Sequence, residues 1–332
     1  MENESVDVIR ENTRILLNKN RRLRREDDSN FRRSLQSSEV SSENVLNIVD
    51  KLKTKSSITE SELKVLKNAL RSDQKTIESV LNTHGALRGL VRELIGQDIG
   101  KQMQAVDCLC NLALGDGRAC STVAKSAGPY LVARLDNVTS KVSENCAYAL
   151  GTLASSGPKV CVLLVTQGAL TILTRLLSSN CNEELASAAL YAVTHIVSQL
   201  KDELSSQHLS DILQSISKLN VDSSVQKLLF ALSCHENFIE TISTHYPGYF
   251  EEKILNNLPS VVLKHVSSCK DNVLCCELVH SLRILANLNL SKSQVHVLFT
   301  MNFEGRNFKE IACYLVNENN DFVKESLLWL LG

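Results

Sequence analysis

Four prolines in 332 residues are too few for a fold built on frequent turns, and thirteen glycines add little to that count. Aromatic residues make up only 5% of the chain, with a single tryptophan, so a β-rich architecture is not expected. No apolar run approaches the roughly 18–20 residues that a membrane span needs; runs such as 160–165 have the length of a core helix. An excess of charge of one sign is missing too. With 36 basic against 37 acidic residues the whole molecule is not a polyanion binder, and any electrostatic partner must be met locally. The N-terminus MENESVDVIR is polar and acidic, which excludes reading it as a signal peptide.

Hydrophobic content of 43% is enough for a sizeable core. The eleven cysteines mostly fall in apolar helical runs, among them Cys108, Cys110, Cys146, Cys234, Cys275 and Cys276. A reduced cysteine in such a run packs as a small hydrophobe, so a reducing compartment, cytoplasm or nucleus, is expected.

Basic residues cluster in one place, RRLRREDDSNFRRS at 21–34. Arg21, Arg22, Arg24 and Arg25 precede the acidic step Glu26-Asp27-Asp28, and Arg32 and Arg33 follow it. Around them, residues 1–36 carry only a sparse apolar stripe (Val6, Ile9, Leu16, Leu23), too thin to fold alone, so this basic segment is expected to stay disordered until bound. The Ser-rich stretch SSEVSSEN at 37–44 reads as a flexible linker.

From about residue 45 onward, apolar residues recur at three- and four-residue spacing, the pattern of helices. Within it the chain repeats itself. QAVDCLCNLALGD (104–116), NCAYALGTLASSG (145–157), SAALYAVTHIVSQ (187–199), KLLFALSCHENF (227–238), VHSLRILANLNL (279–290) and ESLLWLLG (325–332) align on their apolar positions. Asn111, Thr152, His195, Cys234 and Asn287 then fall into register, about 40 residues apart with one longer step before Asn287, the period of three-helix armadillo-type units. Gly85, Gly128 and Gly168 mark the same period, each expected at a tight helix–helix turn. Pro247-Gly248 in the longer step reads as an extended loop. The expected fold is all-α, an armadillo-type α-solenoid over 37–332 behind the basic segment 1–36. Because the chain stops at Leu331-Gly332 inside an apolar helix, the array is expected to be incomplete at its C-terminus.

Residues four apart lie on one helix face. The aligned segments supply such pairs: Asp107/Asn111, Tyr148/Thr152, Tyr191/His195, Phe230/Cys234 and Arg283/Asn287, with Trp329 opening a further one. At these residues the chain resembles the importin alpha family over nearly its whole length. That resemblance implies a nuclear-import adaptor whose third helices line a concave surface. There, asparagines bond the backbone of a cargo peptide, and aromatic rings flank its Lys and Arg stems. It assigns cargo contacts, to a cargo protein or basic peptide, to Asn111, Tyr148, Thr152, Tyr191, His195, Arg283, Asn287 and Trp329. It assigns importin beta to Arg21, Arg22, Arg24, Arg25, Arg32 and Arg33, since the family's importin-beta-binding segment is similar in order and spacing to RRLRREDDSNFRRS. This chain departs from the family in keeping the amide only at Asn111 and Asn287 and in having no ladder tryptophan before Trp329.

Blander readings stand beside these. The arginines also fit a nucleic-acid-binding tail, although the acidic step would repel a phosphate backbone, and no nucleic-acid partner is expected. Tyr148 and Tyr191 fit packing within the helix stack as well as peptide contact, and His195 reads as a structural histidine. Neither Cys108/Cys110 nor Cys275/Cys276 has C-x-x-C spacing or a nearby His pair, so no metal is expected, and no cofactor. The sequence has no G-x-x-x-x-G-K-[ST], G-x-S-x-G or H-E-x-x-H, and an enzyme is not expected. The alternative to an import adaptor is a general armadillo scaffold that binds an unrelated protein.

Overall fold

A computed structural model of the chain describes residues 42–331, except 73, 137–139, 180, 201–202, 269–275, 289 and 318–319. The basic segment 1–36, with all six of its singled-out arginines, lies outside the described residues. Two compact units divide the chain after Gln167. The first holds α1 (Ser42–Thr54), α2 (Glu60–Ser72), α3 (Gln74–Asn82), α4 (Ala86–Leu94), α5 (Ile99–Leu112), α6 (Gly117–Ala133), α7 (Ser140–Ala154) and α8 (Pro158–Thr166). The second holds α9 (Ala169–Ser178), α10 (Glu183–Leu200), α11 (Ser206–Ile216), α12 (Ser223–Ser233), α13 (Phe238–His245), α14 (Tyr249–Ser268) and α15 (Cys276–Asn287). It continues with α16 (Lys292–Thr300), α17 (Phe308–Asn317) and α18 (Asp321–Leu331).

Polar caps set where these helices begin. Asp98, Asp116 and Asp222 accept backbone N–H groups from the first turns of α5, α6 and α12, and Ser205 does the same for α11. Thr59 with Glu62 closes a reciprocal box at the start of α2, and Ser291 with Gln294 does so for α16. Gly85 and Gly168 turn the chain into α4 and α9 with φ of 97° and 85°, left-handed backbone that a Cβ would strain.

Packing follows the helical spacing. In the first unit α2 lies on α5 and α5 on α7, through Leu63, Leu66 and Leu70, then Ala105, Leu109 and Leu112, then Val142, Cys146 and Leu150. Those side chains are inaccessible or nearly so, and burying each leucine stabilises the stack by about 1.5–3 kcal/mol. A parallel row of second helices runs alongside, α1 against α4 and α4 against α6. The second unit repeats the scheme: α10 on α12, α12 on α15 and α15 on α18, with α9 against α10 and α11. Helix triplets such as α3-α4-α5 and α16-α17-α18, each stacking its third helix on the preceding third helix, make the architecture an armadillo-type α-solenoid.

Several local expectations change. Gly128 is buried inside the continuous helix α6, not in a turn. Its missing side chain makes room for the Gln167 amide, which donates to the Ala124 carbonyl at 3.1 Å. Pro247-Gly248 occupies a three-residue link between α13 and α14, so the long step is filled by the 20-residue helix α14 instead of an extended loop. Helix α1 starts at Ser42, within the stretch read as linker. A hairpin of two-residue strands, Asn302–Phe303 and Arg306–Asn307, joins α16 to α17 through Glu304 and Gly305, both at positive φ.

Candidate functional site

In the first unit, the third-helix row comprises α2, α5 and α7. Asn111 on α5 is 5% exposed and donates its amide to the Lys67 carbonyl of α2 at 2.8 Å. Its i−4 companion Asp107 accepts from the Lys67 ammonium at 3.3 Å on one side and from the Asn145 amide of α7 at 2.9 Å on the other. One carboxylate thus ties three successive third helices. Thr152 is buried and turned back on its own helix, its hydroxyl donating to the Tyr148 carbonyl at 2.8 Å, while Tyr148 is half-buried beside it. The expected pairs do lie on one face, but Asn111 and Thr152 are engaged within the stack.

The second unit carries the row α10, α12, α15 and α18. Tyr191 and His195 meet edge to face with ring centroids 4.6 Å apart, His195 buried and Tyr191 half-buried. Phe230 on α12 stacks on His280 of α15 at 5.2 Å with the planes 22° apart, and the Arg283 guanidinium lies 6.0 Å from the same ring. Arg283 also donates to the Ser326 hydroxyl of α18 at 2.9 Å and faces Glu325 at 3.7 Å. Asn287 donates to the Ser233 hydroxyl at 2.9 Å, with the Ser233 carbonyl at 3.5 Å. Trp329 stands 69% exposed, with Phe322 and Leu328 beside it on α18 also exposed.

Electrostatics follow burial. His280 is pushed down to about 4, first by desolvation and then by the cations Lys227 and Arg283, so at neutral pH it is an uncharged stacking partner. Burial pushes the Cys234 thiol up, which keeps it protonated although it is exposed on one side. Among the described residues, no group of three or more His, Cys, Asp or Glu side chains is placed to hold a metal ion, and no single helix is long and apolar enough to cross a membrane.

Two features were missed in the sequence. KVLKNALRSD at 64–73 aligns with DCLCNLALGD at 107–116, which puts Lys64/Asn68 on α2 in register with Asp107/Asn111. That alignment was available from the sequence alone. Asn111 bonds the residue just before Asn68, and Asn287 bonds the residue just before Cys234, so both amides reach the same position on the preceding third helix, Asn111 its carbonyl and Asn287 chiefly its side-chain hydroxyl. The Phe230–His280 stack was not legible, because it joins side chains fifty positions apart on different helices.

No protein-family model matches the sequence, and no curated protein matches it. Among solved structures the chain is similar to an engineered protein at 20% identity and a TM-score of 0.64, over 86% of this chain and 67% of that one. It also matches a designed armadillo repeat protein at 17% identity and a TM-score of 0.47, over 86% of this chain and 97% of the other. A computationally designed armadillo repeat protein for modular peptide recognition matches at 17% identity and a TM-score of 0.49, over 86% and 97%. At those TM-scores the last two add nothing to the fold assignment, which rests on the helix packing above.

Proposed function

We propose that the chain is a protein-interaction adaptor that holds an extended segment of a partner along its third-helix face, and that it works between cytoplasm and nucleus. In this reading the leader arginines dock on importin beta, as the resemblance to importin alpha implies, through bidentate pairs with an acidic partner surface. The chemistry is binding and not catalysis. The observation that carries the reading is the line of aromatic and polar side chains on successive third helices, with Tyr191, Phe230, His280, Arg283 and Trp329 in the second unit. Flat rings and half-buried polar groups on successive helices suit an extended backbone with alternating side chains.

A pull-down with importin beta tests the carrier half. The full chain is expected to be retained, and a variant with Arg21, Arg22, Arg24 and Arg25 all changed to Ala is expected to be lost. Equal retention of both overturns the importin-beta assignment.

A second reading, a scaffold that does not bind basic localisation signals, is favoured by one specific contact. The amide of Asn111 is held on the Lys67 carbonyl, where a family-type ladder asparagine would reach for cargo backbone. Titration of a labelled basic localisation peptide separates the two readings. Binding that collapses on Asn111→Ala supports the import-cargo reading, and absence of binding supports the scaffold.

A further inference from the structure

We infer that a second copy of this chain docks on α16, α17 and α18, so that each copy lays its α18 in an apolar groove of the other. This contact is independent of what the third-helix face receives. Nine of the fifteen large apolar side chains exposed among the described residues lie on these three helices, so apolar exposure is concentrated there and not spread along the chain. A groove of about 330 Å³ opens between them, lined by Phe299 of α16, Phe308, Ala312 and Val316 of α17 and Leu331 of α18. Phe299 and Phe308 meet edge to face with centroids 5.5 Å apart, and Phe308, itself buried, packs on Phe303 of the hairpin. The groove wall is therefore set before anything enters it.

The same helices carry the ridge that fills such a groove. Asp321, Glu325 and Leu328 share one stripe of α18, at spacings of four and three, and all three are exposed. Lys309 stands exposed at the groove's edge, where an acidic stripe is its complement. Asp321 and Glu325 also face Lys324 and Arg283 of their own chain, at 3.9 and 3.7 Å, yet both keep most of their side-chain surface in water. Glu310, next to Lys309, is turned to the hairpin and accepts the Asn307 N–H at 3.0 Å. Groove and ridge on one surface make a contact that closes as a two-fold dimer. Head-to-tail growth would instead need an apolar face at α1 and α2, where Leu46 is the one large apolar side chain exposed among the described residues. Val295, one turn before Phe299, and Leu328, one turn before Leu331, extend the apolar faces that line the groove. With Phe299, Val316 and Leu331 they are 37–59% exposed and offer on the order of 500 Å² of apolar surface, about the apolar share of the roughly 800 Å² per partner that a stable interface buries.

Sedimentation velocity on the full chain over a roughly hundredfold range of concentration tests the pairing, with the mass expected to rise from one chain to two and no further. Leu328→Glu is expected to weaken the dimer roughly tenfold or more, and Leu46→Glu, at a similarly exposed position, to leave it unchanged. Lys309→Glu is expected to weaken it too and to reverse its dependence on salt, since a carboxylate is repelled by Asp321 and Glu325 where the ammonium is drawn to them. Cys313 reads the groove directly, because it lines it. Its alkylation should slow severalfold at concentrations where the dimer forms, while that of Cys276 keeps its rate. A monomer at every concentration, a mass that climbs past two chains, or a dimer indifferent to Leu328→Glu would each overturn the inference. So would a dimer in which Cys313 reacts as fast as in the monomer.

Discussion

Asn111 shows how one side chain can satisfy a sequence pattern and yet do other work. Its amide is buried on the Lys67 carbonyl, so Asn111→Ala removes a hydrogen bond between neighbouring third helices. The expected loss is about 1 kcal/mol in urea unfolding, against roughly 0.5 kcal/mol or less for Asn256→Ala at an exposed position on α14. Equal losses would show that the inter-helix bond contributes nothing particular. His280 gives a pH signature. Its folded-state pKa of about 4 lies below the ordinary 6.5, so between those values the unfolded chain takes up a proton that the folded chain refuses. The contribution is complete above about pH 6.5 and is lost as pH falls toward 4, to a limit on the order of 3 kcal/mol. His280→Phe keeps a ring on Phe230 and removes the titration. Its urea midpoint should decline less between those pH values than that of the wild type, and parallel curves would contradict the assignment.

At the scale of the helix, α1 and α4 come together closely at Gly89. A Cβ on Gly89 would fall 2.6 Å from the Leu52 carbonyl oxygen and 2.8 Å from the Leu52 Cβ, both on α1. Gly89→Ala must therefore push the two helices apart, with an expected cost of about 1–3 kcal/mol. Gly117→Ala is the matched control: nothing lies within 4 Å of its Cβ position in the first turn of α6, so the change should be neutral or stabilising by up to about 1 kcal/mol. Thermal or urea midpoints of the two variants read the difference directly. Gly89 shows what the sequence could and could not convey at this scale. Third helices, their register and the turn glycines Gly85 and Gly168 were legible, since each depends on local spacing or backbone conformation. Gly128 carried the same signature as those two and lies within a helix, because its smallness serves the approach of Gln167 from α8's end. The roles of Asn111, Asp107 and Phe230 were hidden for a related reason. Sequence period places them on one face, but whether they reach outward or across to the next helix is decided by neighbours about 40 residues away.

Across the whole molecule, the cysteines make an internal reporter of these local differences. Among the described residues, five thiols are buried, Cys108, Cys110, Cys120, Cys146 and Cys161, all in the first unit, whereas Cys234, Cys276 and Cys313 are exposed in the second. Burial pushes the Cys161 thiol up to about 12 and those of Cys108 and Cys146 further still, so in the native state they are neither accessible nor ionised to attack an alkylating reagent. Their labelling must wait for local opening, whose free energy is set by the helices packed around them. Alkylation followed by peptide mass mapping should find Cys276 and Cys313 modified well before the buried five. In a stack where each repeat contacts only its neighbours, strain introduced at one interface acts near that interface. Gly89→Ala, in α4, is therefore expected to accelerate labelling of Cys108, Cys110 and Cys120, on the helices that follow it, and to leave the rate at the buried Cys161, further along on α8, unchanged. Equal acceleration at all five buried thiols would mean that the first unit opens as one cooperative body, and protection could then no longer be assigned to individual helix contacts.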